Sequence, residues 1–151
     1  MSDPDKPEPL DQLLAQISRL HYIRAHELLG HLGLYRGQPP VLYALWDKDG
    51  LTHSELAQKL KVTPATITRM IQRMEKTGFV IRRPDANDQR VSRVYLTEAG
   101  IGVRATLQAV WEQLEAENFA EFSPEEQIVM RAYLLKIRAN LLKVTGEKFN
   151  Y

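Results

Sequence analysis

Between Leu51 and Gly100 the chain sets out two capped helices and a β-hairpin in unbroken succession, and this order restricts the fold more than any other stretch. Thr52 and Glu55 stand three apart, the spacing of a capping box in which each side chain bonds the other's backbone N–H. They open a helix through Leu60 whose Leu56, Ala57 and Leu60 face inward. Lys61-Val62 is the turn. Thr63 then caps a second helix with Pro64 at its first position, where a missing N–H costs nothing. In that helix Ile67, Met70, Ile71 and Met74 recur at i, i+3, i+4 and i+7, a core stripe, and Gly78 is placed for a left-handed stop. Phe79 to Arg83 and Ser92 to Leu96 are β-branched and aromatic runs of strand length, joined by the polar loop Pro84 to Val91. A helix-turn-helix followed by such a hairpin is what a winged helix-turn-helix needs to grip duplex DNA.

The flanks are helical. Leu10, Leu13, Leu14, Ile17, Leu20, Leu28, Leu29 and Leu32 predict one long amphipathic helix over residues 10–33. After a turn at Gly37 to Pro40, Val41, Leu42, Leu45 and Trp46 predict a shorter helix that Asp47 to Gly50 terminates. Thr97 caps a linking helix over residues 98–120 that carries Ile101, Val103, Leu107, Val110, Trp111 and Leu114. Ser123-Pro124-Glu125-Glu126 is a second capping box, opening a last helix over 124–144. The expected fold is thus mostly α with a small β-hairpin, one domain over 1–151 with the winged helix-turn-helix at 41–97. Ile128, Val129, Tyr133, Leu134, Ile137, Leu141 and Leu142 are more apolar surface than one helix needs to attach to a small core. Pairing with a second copy through helices 10–33 and 124–144 is the simplest cover; packing of both ends on their own core is the alternative. A two-fold dimer would also match a palindromic site with half-sites about one helical turn, ~34 Å, apart.

The net charge of +1 does not by itself point to nucleic acid, but its distribution does. From Lys61 to Arg93 there are eight basic residues and three acidic ones, a local charge of +5 that leaves −4 for the remainder. Such a basic segment is an electrostatic footprint for phosphate, although a solvated charged face has the same composition. The chain has no Cys, which excludes disulfides, thiolate metal sites and cysteine redox sensing. No apolar run approaches the roughly 18 residues of a membrane span. The polar, acidic start from Met1 to Pro9 reads as a frayed Pro-rich end and not a signal peptide, so a cytoplasmic protein is expected. No carboxylate pair, nucleophile with its base, or phosphate-cradling Gly loop has the spacing of catalysis, so neither enzyme activity nor a cofactor is expected.

On the second helix the core stripe leaves Ala65, Thr66, Thr68, Arg69, Gln72 and Arg73 outward, with Thr63 and Pro64 at the leading tip. Short residues let a helix end into the ~12 Å major groove, Thr hydroxyls bond phosphates or base edges, and Arg69 can fork onto guanine O6 and N7. Thr52 and His53, where the first helix starts, join this set of candidate contacts. In the hairpin, Arg90 can reach into a narrow minor groove with Asp88 holding it or the loop backbone; an exposed loop salt bridge is the plain reading of the same pair, and both can hold at once. Alternation makes Arg83 and Arg93 candidate phosphate contacts and leaves Arg82 an ordinary surface residue.

The chain resembles the MarR (multiple antibiotic resistance regulator) family of transcription regulators. The resemblance rests on Leu51-Thr52-His53-Ser54-Glu55-Leu56-Ala57, Val62-Thr63-Pro64-Ala65-Thr66-Ile67-Thr68-Arg69, Glu75-Lys76-Thr77-Gly78-Phe79-Val80, and Asp88-Gln89-Arg90 followed by Leu96-Thr97-Glu98-Ala99-Gly100. It implies a homodimer of triangular outline joined through its terminal helices, binding a pseudo-palindromic operator as a repressor that a small ligand releases. It also implies that Thr63, Pro64, Ala65, Thr66, Thr68 and Arg69 face the major groove and that Arg90 meets the minor groove with Asp88 orienting it. Anionic or phenolic ligands of the family lie between the reading head and the dimer helices, which here would draw on Tyr22, Tyr43, Trp46 and Trp111; aromatics at helix positions serve equally as core.

His21, His26 and His31 invite a metal reading. Steps of five residues put successive rings about 140° apart on a helix, so they cannot share one ion within it and no metal site is expected. His21 remains a candidate for a ligand carboxylate, as for the dimer seam. The competing reading of the whole is a winged-helix module that docks a protein partner and touches no DNA.

Overall fold

The computed structural model describes residues 7–147; residues 1–6 of the start expected to fray lie outside the described residues. In chain order the elements are α1 (Leu10–Gly30), α2 (Pro39–Asp47), β1 (Leu51–Thr52), α3 (His53–Leu60), α4 (Pro64–Lys76), β2 (Val80–Pro84), β3 (Ser92–Leu96), α5 (Glu98–Asn118) and α6 (Pro124–Thr145). The chain divides within α5 into two compact units, one ending at Leu114 and the other beginning at Glu115.

In the first unit, Ala25, Leu28 and Leu29 of α1, Val41, Leu42 and Leu45 of α2, Leu56 of α3, and Ile67, Ile71 and Met74 of α4 close one core with Val80, Val94, Leu107, Val110 and Leu114. The i, i+3, i+4, i+7 stripe of α4 is therefore core, with Met70 partly buried at its edge. Helix α1 stops at Gly30, short of the expected 33. Gly33 has φ +75, and the Leu34 N–H donates back to Leu29 O at 3.0 Å, which drops Leu34 into the core. Helix α2 begins earlier than expected, at Pro39, because Pro39 and Pro40 occupy first-turn positions that lack a helical N–H partner anyway.

The hairpin pairs Val80 with Leu96, Ile81 with Tyr95 and Arg83 with Arg93. A third strand was not expected: β1 pairs Leu51 with Val94 and Thr52 with Arg93, giving the order β1-β3-β2. Thr52 is at once strand residue and cap of α3, since its hydroxyl accepts from Glu55 N–H at 3.1 Å while its own N–H donates to Glu55 Oε2 at 2.8 Å. Between α3 and α4 the turn is made by Lys61 in a left-handed conformation, φ 52. Gly100 is required where α5 starts, because a Cβ there would stand 2.1 Å from Phe79 O.

In the second unit, α6 opens on its expected capping box: Ser123 Oγ accepts from Glu126 N–H at 3.1 Å and Ser123 N–H donates to Glu126 Oε2 at 2.8 Å. No residue of α6 is buried, and Ile128, Tyr133, Leu134, Leu135 and Leu141 are all exposed. In α1 the same holds for Leu10, Ile17 and Leu20, the half of that helix beyond its core contacts. Among the described residues no helix is long and apolar enough to cross a membrane.

Candidate nucleic-acid interface

Helix α4 owes its leading end to Thr63, whose Oγ1 accepts from Thr66 N–H at 3.2 Å and lies 2.8 Å from Thr66 Oγ1. The cap thus fixes the tip and also orients the Thr66 hydroxyl. Pro64, Ala65, Arg69, Gln72 and Arg73 are exposed along one side, whereas Thr66 and Thr68 are half-buried. Thr68 is not simply outward: its Oγ1 lies 3.4 Å from His53 Nδ1. Arg73 sits 5.8 Å over the ring of Tyr35, a residue of the segment between α1 and α2.

His53, the first residue of α3, turns its ring toward Thr68 of α4 and has its Nε2 buried and lacking a hydrogen-bond partner. Burial pushes its imidazole below the ordinary histidine value, the Arg82 cation pushes the same way, and Glu75 opposes both. A neutral ring tolerates the unpartnered nitrogen better than an imidazolium would. Arg82, expected to be an ordinary surface residue, donates through Nε to Glu75 Oε2 at 2.9 Å and so ties β2 to the end of α4.

At the wing tip the Arg90 side chain is 91% exposed. Its backbone N–H and its Nε each donate to Asp88 Oδ1 at 3.1 Å, so Asp88 fixes both the loop and the arginine. Those bonds hold the Asp88 carboxyl below its usual value, the Arg90 side chain having the larger effect. Arg83 lies 5.9 Å over the Tyr95 ring. Arg93 turns inward: Nη1 donates to Gly50 O at 2.8 Å, and Nε lies 3.3 Å from Asp85 Oδ1. Asp85 and Tyr35 were missed in the sequence because each acts on a basic residue from another segment.

The aromatic candidates do not form one group. Tyr43 and Trp46 meet edge to face at 5.2 Å, Trp111 Nε1 donates to Tyr43 Oη at 2.8 Å, and Arg104 lies 5.4 Å over Trp46. Tyr43 and Arg104 also line an open cleft of about 470 Å³ with Ile101, Gly102, Ala105 and Gln108. Trp46 Nε1 is committed to Gly100 O at 2.9 Å. Tyr22 lies apart, stacked on His26 with Arg36 4.3 Å over its ring, and His21 is exposed on α1. No group of three or more His, Asp or Glu among the described residues could hold a metal.

A capped helix presenting short side chains and arginines, beside a hairpin with an oriented arginine at its tip, defines a winged helix-turn-helix regulator of transcription that binds DNA. The chain belongs to the MarR family, whose sequence profile matches residues 34–92. It is 35% identical over 115 residues to the transcriptional regulator HosA of Escherichia coli, spanning 76% of this chain and 83% of that protein. The crystal structure of MepR, a transcription regulator of the Staphylococcus aureus multidrug efflux pump MepA, matches with a TM-score of 0.74 at 26% identity, over 89% of this chain and 99% of that one. The reduced form of MarR from Escherichia coli gives 0.71 at 26% identity, over 88% and 98%. A regulator of Bacillus subtilis, YybA, named as an HTH-type transcriptional regulator, is 29% identical over 110 residues, 73% of this chain and 73% of that protein.

Proposed function

We propose that the chain acts in the cytoplasm as a homodimeric repressor of a pseudo-palindromic operator, and that a small anionic aromatic ligand releases it. The observation that carries the reading is the pairing of two differently built cation sites: Arg69 exposed on a capped α4, and Arg90 held outward by Asp88 at the wing tip. In this account Thr63, Pro64, Ala65, Thr66 and Arg69 meet the major groove, Thr52, His53, Thr68 and Arg73 support that face or touch phosphate, and Arg90 occupies the minor groove. The exposed apolar residues of α1 and α6 support the dimer, since a soluble monomer seldom leaves so much uncovered. A ligand carboxylate would pair with Arg104 at the cleft beside Tyr43, where Trp46 and Trp111 lie close by.

Selection of bound duplexes from a random pool tests this reading. An inverted repeat with half-sites about one helical turn apart supports a two-fold reader; a single unrepeated site, or none, refutes it. Repeating the selection with aromatic acids present tests release. Leu134→Glu and Leu141→Glu together, at exposed positions of α6, are expected to yield monomers in sedimentation and at least about tenfold weaker operator binding.

A further inference from the structure

The two arginines nearest the end of the wing loop stand in opposite situations. Arg90 is 91% exposed, whereas the Arg93 side chain is 31% exposed and its guanidinium faces three parts of the frame. Gly50 belongs to the turn before β1, Glu55 Oε2 at 3.8 Å belongs to the box that caps α3, and Asp85 is the residue directly after β2. Asp85 in turn closes the wing loop, for its N–H donates to Val91 O at 2.8 Å. The Val91 N–H donates to Asp88 O at 2.9 Å, and Asp88 is the carboxylate that holds Arg90. A continuous chain of bonds therefore runs from the start of α3 through Arg93 and Asp85 to the tip.

The register adds a reason for this arrangement. Arg83 stands directly opposite Arg93 across β2 and β3, and two facing cations destabilise a hairpin unless one is neutralised. Asp85, only 18% exposed, supplies that charge beside Arg93 and leaves Arg83 free to face outward over Tyr95.

We propose that Arg93 is a positioning residue and not a phosphate contact: with Asp85 it braces the wing against α3, so that Arg90 meets the minor groove in a fixed place. The proposal deepens the DNA-binding reading and replaces the phosphate role that strand alternation suggests for Arg93.

Asp85→Asn separates the two roles by sign. Removing a carboxylate from a face that meets a polyanion ordinarily tightens binding, whereas loosening a brace weakens it. Anisotropy titration of the full-length protein on its selected operator is expected to show about tenfold weaker binding for Asp85→Asn, the worth of one charge-assisted hydrogen bond. In an Arg90→Ala background the same substitution is expected to add nothing further, because the brace acts through Arg90. Equal or tighter binding by Asp85→Asn, or a full additional loss in the Arg90→Ala background, overturns the proposal. Hydrogen exchange without DNA gives a second arm: residues 85–91 exchange faster in Asp85→Asn while α4 keeps its protection, and unchanged exchange in the loop overturns the brace. Failure of the wild type to bind any duplex would count against the DNA reading, and the exchange arm would still decide on the brace.

Discussion

Replacing Gly100 with Ala tests how the wing is joined to α5, and a neighbouring glycine supplies the control. A Cβ at Gly100 would stand 2.1 Å from Phe79 O, about an ångström inside any tolerable contact, and the obstacle is backbone that cannot rotate away. Relief requires the start of α5 to move off the start of β2. That movement strains two bonds at the junction, Thr97 N–H to Phe79 O at 3.1 Å and Trp46 Nε1 to Gly100 O at 2.9 Å. Overpacking costs about 1–3 kcal/mol and each weakened bond about 0.5–1.5 kcal/mol, offset by the ~0.5–1 kcal/mol that Ala gains over Gly in a helix. The net loss is about 3 kcal/mol, a fall in Tm of roughly 6–12 °C for a chain of this size. At Gly102, on the same helix, a Cβ meets nothing within 4 Å. Gly102→Ala is therefore expected to stabilise by about 0.5–1 kcal/mol and raise Tm by roughly 1–4 °C. Both are measured by thermal and urea unfolding at one protein concentration, since assembly makes Tm concentration-dependent. A loss below about 1 kcal/mol for Gly100→Ala, or shifts of the same sign at both positions, would refute the reasoning.

Other expectations follow from the same geometry. Thr63→Ala removes the cap of α4 and is expected to cost about 0.5–2 kcal/mol in urea unfolding and also to weaken operator binding, since the Thr66 hydroxyl loses its partner. Arg69→Ala is expected to relax base preference at one position per half-site, read from a repeated selection, whereas Arg90→Ala weakens binding chiefly where the flanks are A·T-rich. His53 has a folded-state value depressed by burial and by Arg82, so the unfolded chain takes up its proton first as pH falls. Its contribution to stability is present above the unfolded value of about 6.5 and is lost as pH drops through the folded value; His53→Gln should flatten the fall in stability below that pH in urea titrations, and an unchanged slope would contradict the assignment.

The parts of this fold that were legible in the sequence are those fixed by near neighbours. The boxes Thr52/Glu55 and Ser123/Glu126, the Thr63 cap and the apolar stripe of α4 need only three- and four-residue spacings, and each is present. Strand β1 was not legible, because two residues carry no periodicity and their partners Val94 and Arg93 lie in another segment. The left-handed turn at Lys61 carries no glycine to announce it. The exposure of Arg69 on α4 and of Arg90 on the wing could be expected from their positions in the helix and hairpin patterns. The inward turn of Arg93 could not, since alternation gives the face of a strand residue and says nothing of a carboxylate, here Asp85, waiting on that face. The family resemblance groups Tyr22 with Tyr43, Trp46 and Trp111 as ligand candidates, whereas its ring packs against His26 and Arg36.

The central claim, that the exposed face of α4 and the wing grip duplex DNA through its phosphates, is tested most directly by the salt dependence of operator affinity. Neutralised phosphates release counterions, so log affinity should fall linearly with log salt between ~50 and ~200 mM, and Arg73→Ala, at an exposed residue of α4 assigned to phosphate, should lower that slope by about one. An affinity that stays level across that range would contradict the claim.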